Sequence, residues 1–135
     1  MTDAIERALD DIRFGPDGLV AAIAQQHDTG EVLTVAWMNR DAVRVTIGEG
    51  RACYWSRSRQ TLWRKGETSG QVQQLRELRL DCDADAVLLL VDQTGVACHT
   101  GRRSCFFRAW RDGGWVEIAK PLVPPEELYP RRGGS

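Results

Sequence analysis

The run Ala86-Val87-Leu88-Leu89-Leu90-Val91 is as long as any purely apolar stretch in this 135-residue chain. It is far too short to cross a bilayer, so it predicts a strand buried in a core. Immediately before it stands Asp81-Cys82-Asp83-Ala84-Asp85, and after it come Cys98-His99-Thr100-Gly101 and Cys105. Soft thiolates suit zinc, whereas hard carboxylate oxygens suit magnesium or calcium. One short stretch therefore offers ligands for two kinds of metal, which points to chemistry rather than packing.

The length predicts one domain spanning residues 1–135, with its motifs between about 32 and 107 and a tail from about 120 to 135. Such a chain can bury a core without disulfide staples. A formal net charge of -1 supplies no global field to draw nucleic acid or an anionic membrane. The polar N-terminus lacks the apolar segment of a signal peptide, so the expected location is the cytoplasm, with reduced thiols. There, four cysteines read as metal-binding or catalytic before they read as disulfides. Cys53, in a strand-like run, reads instead as a small buried hydrophobe.

The pattern predicts a short helix over residues 3–13 and a hairpin of strands 19–26 and 31–38 turning at His27-Asp28-Thr29-Gly30. Asn39 caps a helix over 40–47, which Gly48 and Gly50 stop. A strand follows over 51–57, then a loop or short helix over 58–70. In 72–80 the apolar residues at 72, 75, 78 and 80 fit a helix early and a strand late. A last hairpin flanks Arg111-Asp112-Gly113-Gly114, and the proline-rich tail is draped or frayed. The fold class is α+β, a mostly antiparallel sheet with a few short helices.

Cys82, Cys98 and Cys105 are separated by fifteen and six residues, unlike a structural zinc knuckle. Spacing alone leaves them as ligands or as core residues. Cys98 and Cys105 bracket Gly101-Arg102-Arg103, a polar loop where a buried cysteine has little reason to sit. Three thiolates with an open fourth position match a catalytic zinc site. His99 is either a fourth ligand or a base beside the metal, and the base role is preferred. On an extended segment, Asp81, Asp83 and Asp85 would share one face with Cys82 on the other. Such a cluster is a cation site or a solvated acidic loop; the offsets exclude an EF-hand.

A third group lies in Tyr54-Trp55-Ser56-Arg57-Ser58-Arg59 and Leu62-Trp63-Arg64-Lys65-Gly66-Glu67-Thr68-Ser69-Gly70. Its basic residues, hydroxyls and glycines are the parts of a phosphate cradle, and Trp55 and Trp63 could stack on a base. The same parts serve a single-strand nucleic-acid surface, although one small cluster is thin support for a polymer groove.

In this order and spacing, Trp55-Ser56-Arg57-Ser58-Arg59, Leu62-Trp63, Lys65 to Gly70, the Asp81 to Asp85 run, and Cys98-His99-Thr100-Gly101 with Ser104-Cys105-Phe106 resemble phosphoribosyl-AMP cyclohydrolase. The resemblance implies a homodimeric enzyme of histidine biosynthesis with one zinc and one magnesium per subunit, its metal sites at the dimer interface. It implies zinc held by Cys98 and Cys105 with Cys82 of the partner subunit, and magnesium held by Asp81, Asp83 and Asp85. Some relatives carry a second, pyrophosphohydrolase domain, which the short segment after Phe107 leads us to expect on another polypeptide. The expected reaction is hydrolytic opening of the N1–C6 bond of 1-(5-phosphoribosyl)-AMP by a zinc-activated water, with His99 shuttling the proton. Trp55, Arg57, Arg59, Lys65 and Ser69 are the expected substrate contacts. The competing readings are a zinc-dependent nucleotide deaminase, whose H-x-E and P-C-x-x-C runs are absent from the sequence, and a non-catalytic zinc-stabilised nucleic-acid-binding module.

Overall fold

A computed structural model describes residues 2–128. The apolar run forms β6 (Ala86–Gln93), the partner of β1 (Val20–Gln26) at the centre of a four-stranded sheet ordered β2-β1-β6-β5, with β2 at Val32–Met38 and β5 at Gln73–Leu80. The outer pairs are antiparallel, but β1 and β6 run parallel from Ala21↔Ala86 to Gln26↔Val91. The sheet is therefore mixed. The chain leaves β2 and returns as β5 and then β6, so two strands with strictly alternating burial meet in the middle without a single-helix crossover.

Strand alternation sends Val20, Ala22 and Ala24 of β1 and Val87, Leu89 and Val91 of β6 to one buried face. Against that face pack α1 (Thr2–Asp10), α2 (Arg40–Glu49) and a hairpin of β3 (Cys53–Ser56) and β4 (Thr61–Arg64), through Leu9, Ala42, Val43 and Tyr54. The opposite face carries Ile23, Leu88 and Leu90, half-buried, and Val35, 47% exposed. A second small hairpin, β7 (Arg108–Arg111) and β8 (Gly114–Glu117), and the short α3 (Pro125–Leu128) complete the described chain.

Asn39 caps α2 as expected, its Oδ1 accepting the Ala42 N–H at 2.8 Å. The helix passes through Gly48 and stops at Gly50, whose positive φ of 73° lets its N–H close on the Thr46 carbonyl. Two expectations are corrected. The segment read as loop or short helix contains β4, hidden because its turn, residues 57–60, has no glycine; Gln60 takes the positive φ of 54° instead. The segment with mixed periodicity is strand from Gln73 to Leu80. A bulge between Leu75 and Glu77 inserts Arg76, so Leu75 and Leu78 share a face three residues apart and imitate a helical period. The expected tail falls partly outside the described residues. Among the described residues, no helix is long and apolar enough to cross a membrane.

Candidate active site

β6 leads into a tight loop that presents the two later cysteines. The Ala97 and Cys98 N–H groups donate to the carbonyls of Arg103 and Arg102 at 3.0 Å, and Gly101 N–H closes the turn on Cys98. Gly101 has a φ of 85°, and a Cβ there would lie 1.8 Å from the Val123 carbonyl oxygen, so only glycine fits. His99 sits exposed at this turn. Cys105 is anchored to the edge strand β2, its N–H donating to the Leu33 carbonyl at 2.7 Å. Besides burial, Cys98 is among the causes that raise the Cys105 thiol, so the two thiols are neighbours. Thr100 Oγ1 donates to Cys98 Sγ at 3.0 Å, and Cys105 Sγ donates to Thr34 Oγ1 at 3.3 Å. Burial pushes the Cys105 thiol up, partly offset by Thr34 and Lys65. A pair of soft donors in this setting fits zinc.

The loop is less polar than its sequence suggests. Cys98 is buried, and so is Arg102, whose guanidinium bonds the Ala119 carbonyl and Glu117 and covers the Phe107 ring at 3.9 Å. Arg103 bonds the carbonyls of Gln93 and Gly95 and the Gln26 side chain. Both arginines clamp the loop that carries the thiols.

A cavity of about 140 Å³ opens beside Cys105 and is lined by Thr34, Tyr54, Trp63, Lys65 and His99 among others. Ala36, Tyr54 and Trp63 also line a neighbouring groove of about 650 Å³ that reaches Trp55, Arg57 and Arg59 at the hairpin tip. The Arg57 guanidinium lies 4.8 Å from the Trp37 ring centroid, and Arg59 Nε donates to Ser56 Oγ at 3.4 Å. Neither arginine pairs with a carboxylate among the described residues.

The single phosphate cradle expected from sequence is divided. Arg57 and Arg59 stand at the tip of the hairpin, beyond the Ser56↔Thr61 pair, whereas Lys65 and Ser69 follow the Cys53↔Arg64 pair at its other end. Lys65 is buried against the cysteine cavity, and Ser69 Oγ accepts the Gln71 N–H at 3.2 Å. Gly66, with a φ of 84° and Val72 N 2.5 Å from where a Cβ would sit, turns the chain sharply back toward β5; its role is close backbone packing. Trp37, Thr34 and Ala36 of β2 line the groove or cavity, yet no spacing in the sequence ties them to the later motifs.

The Asp81 to Asp85 segment is a turn, which corrects the expected extended geometry. Ala84 takes a φ of 65° and donates to the Asp81 carbonyl at 3.0 Å, while Asp81 Oδ1 accepts the N–H groups of Asp85 and Ala86. Chain reversal, rather than strand alternation, thus gathers the carboxylates of Asp81, Asp83 and Asp85, which have oxygens all within 4.8 Å of one another. Burial works against ionisation of Asp81, but the two N–H donors outweigh it and hold its carboxyl below the ordinary value. Asp83, followed by burial and Asp81, raises Asp85. Crowded exposed oxygens of this kind fit a hard cation.

Cys82 is exposed in the same turn and remote from the other two cysteines of its chain. Thr34, beside Cys105, pairs with Ala24, whereas Ala86, after the acidic turn, pairs with Ala21. Three residues along the strand and two strand spacings across give a separation of roughly 14 Å before the turn is counted.

Comparison with known proteins gives one consistent result. The family model described as phosphoribosyl-AMP cyclohydrolase matches residues 34–107. A protein of that name from Rhodospirillum centenum is 67% identical over 130 residues, covering 96% of this chain and 98% of its own length. The protein of that name from Granulibacter bethesdensis is 67% identical over 121 residues, 89% of this chain and 94% of its own. One from Pseudomonas aeruginosa is 59% identical over 126 residues, 93% and 94% of the two chains.

Proposed function

The chain belongs to the phosphoribosyl-AMP cyclohydrolase family and is a hydrolase, and from that premise we propose that it opens the adenine ring of 1-(5-phosphoribosyl)-AMP in L-histidine biosynthesis. Water adds to C6, the N1–C6 bond breaks, and a proton reaches N1. The products of that cleavage are a carboxamide at C6 and a formimino group, with the exocyclic amine retained. One observation carries this reading to the residues: the groove holding two arginines without carboxylate partners among the described residues shares Ala36, Tyr54 and Trp63 with the cavity beside Cys105.

In this reading Arg57 and Arg59 bind a 5′-phosphate, and Trp55 offers an aromatic face to the base. Tyr54 and Trp63 form the wall along which the nucleotide lies. His99, beside the thiols and exposed to the cavity, holds the proton that passes to N1. Cys98 and Cys105 would hold zinc with Cys82 of the partner subunit, and Asp81, Asp83 and Asp85 would hold magnesium. Bound there, zinc supplies Lewis acidity that brings water toward ionisation at neutral pH, and magnesium supplies positive charge for phosphate or ribose oxygens.

A homodimer is part of the proposal. The distance between Cys82 and the other thiols leaves each chain with an incomplete ligand set. The uncovered apolar face bearing Ile23, Val35, Leu88 and Leu90 offers a surface for a second copy. The test is an absorbance assay for purine-ring opening, with ammonia measured in parallel and a chelator arm. Ring opening that stops with chelator and releases no ammonia is expected. Stoichiometric ammonia would establish a deaminase instead.

A further inference from the structure

Lys65 is the most buried charged side chain near the site, with 4% of its surface exposed. Lysine is almost never buried this far without a partner. Its ammonium carries three donors. One goes to the Ala97 carbonyl at 2.7 Å, and the group sits 5.5 Å from the centroid of the Trp63 ring. No carboxylate among the described residues pairs with it. The cavity it lines contains Cys105 and His99. Arg57 and Arg59, the two cations suited to phosphate, lie at the far end of the β3–β4 hairpin.

We propose that Lys65 is a positioning residue for the Cys98 and Cys105 pair, not a phosphate ligand. The inference rests on the zinc reading of those thiols given above. Two contacts define the role. The Lys65 N–H donates to the Ala52 carbonyl at 3.0 Å, which fixes its own backbone at the end of β4. Its Nζ holds the carbonyl of Ala97, the peptide unit whose nitrogen belongs to Cys98. The side chain therefore bolts the loop that presents Cys98 to the hairpin that walls the groove. Its remaining donors face a cavity shared with sulfur, where fixed positive charge offsets the negative charge that thiolate ligands bring. Three thiolates around a divalent ion leave a net charge of about minus one, and a single buried ammonium is the matching counter-charge.

The test is Lys65→Met, which keeps the apolar stem and removes charge and donors. Zinc affinity is measured by competition with a chromophoric chelator, and kinetics follow on zinc-loaded protein. The expected result is a loss of zinc affinity of about tenfold or more and a similar fall in kcat, with KM changed by less than about threefold. A tenfold rise in KM with zinc affinity and kcat unchanged would return Lys65 to phosphate binding and overturn the proposal. If the variant does not fold, lysine-labelled wild-type protein is followed by NMR. The Lys65 signal should move when zinc is added alone and stay in place when AMP is added to the zinc form; the reverse pattern overturns the role. A wild-type protein that binds no zinc would sink the zinc reading and this inference together. A zinc-binding wild type beside an unaffected Lys65→Met would overturn the Lys65 role alone.

Discussion

Tyr54 donates its hydroxyl to Oε1 of Gln73 at 2.5 Å, and both side chains are almost wholly buried. The contact starts a buried relay. Gln73 Nε2 donates to Gln93 Oε1, the Gln93 N–H donates to Gln26 Oε1, and Arg103 donates to that same oxygen. The wall of the groove is thereby tied to the strand that feeds the cysteine loop. Burial pushes the Tyr54 phenol well above its ordinary range, so it stays a donor near neutral pH. Tyr54→Phe should cost about 1–3 kcal/mol, because it leaves a buried amide oxygen unpaired. Urea denaturation measures this, and a change below about 0.5 kcal/mol would mean that water replaces the hydroxyl.

Cys82→Ala and Cys98→Ala homodimers should each be inactive in ring opening. Mixing them should restore part of the activity, because a heterodimer holds one intact ligand set. No recovery in a sample shown by mass spectrometry to have exchanged subunits would exclude a site shared between chains.

His99→Ala should keep its zinc, measured by elemental analysis, and lose turnover. General acid–base groups typically contribute about 10²–10⁴-fold to rate. If metal content falls together with activity, the imidazole is a ligand.

Arg57→Ala and Arg59→Ala should each raise KM by about tenfold or more, the effect of losing a charge-assisted hydrogen bond to phosphate, with kcat largely kept. A fall in kcat at constant KM would assign the arginine to the transition state instead.

Glu6 bonds Arg44 and Arg40, joining α1 to α2, and the Arg44 hydrogen bond is the main cause that brings its carboxyl from 4.5 to about 2. A folded-state value below the unfolded one stabilises the protein above about 4.5, and that contribution is lost as pH falls toward about 2. Glu6→Gln should therefore melt below the wild type near neutrality. The gap should close across that acid window and shrink with added salt, because the pair is only half-buried. A gap independent of pH would mean that packing, not charge, is what the glutamate supplies.

Much of the fold was legible in local pattern. Alternation and turn residues marked β1 and β2, Asn39 marked the start of α2, and the apolar run marked β6. The signals failed where tertiary pairing imposed a conformation without a local signature: at the glycine-free turn before β4 and at the bulge in β5. The site divides along the same line. Side-chain chemistry made the thiols and carboxylates recognisable as two donor classes, because donor softness is a property of the residue itself. The order of motifs was specific enough to indicate the family.

What only the tertiary structure decided is who meets whom. Chain reversal at Ala84 gathered the carboxylates, and the sheet order put Cys82 far from Cys98 and Cys105. The hairpin carried Arg57 and Arg59 away from Lys65 and set that lysine against the cysteine loop. Residue type is written in the sequence, but proximity between distant segments comes from strand pairing and burial. Those depend on the whole core closing at once, and no single motif contains them.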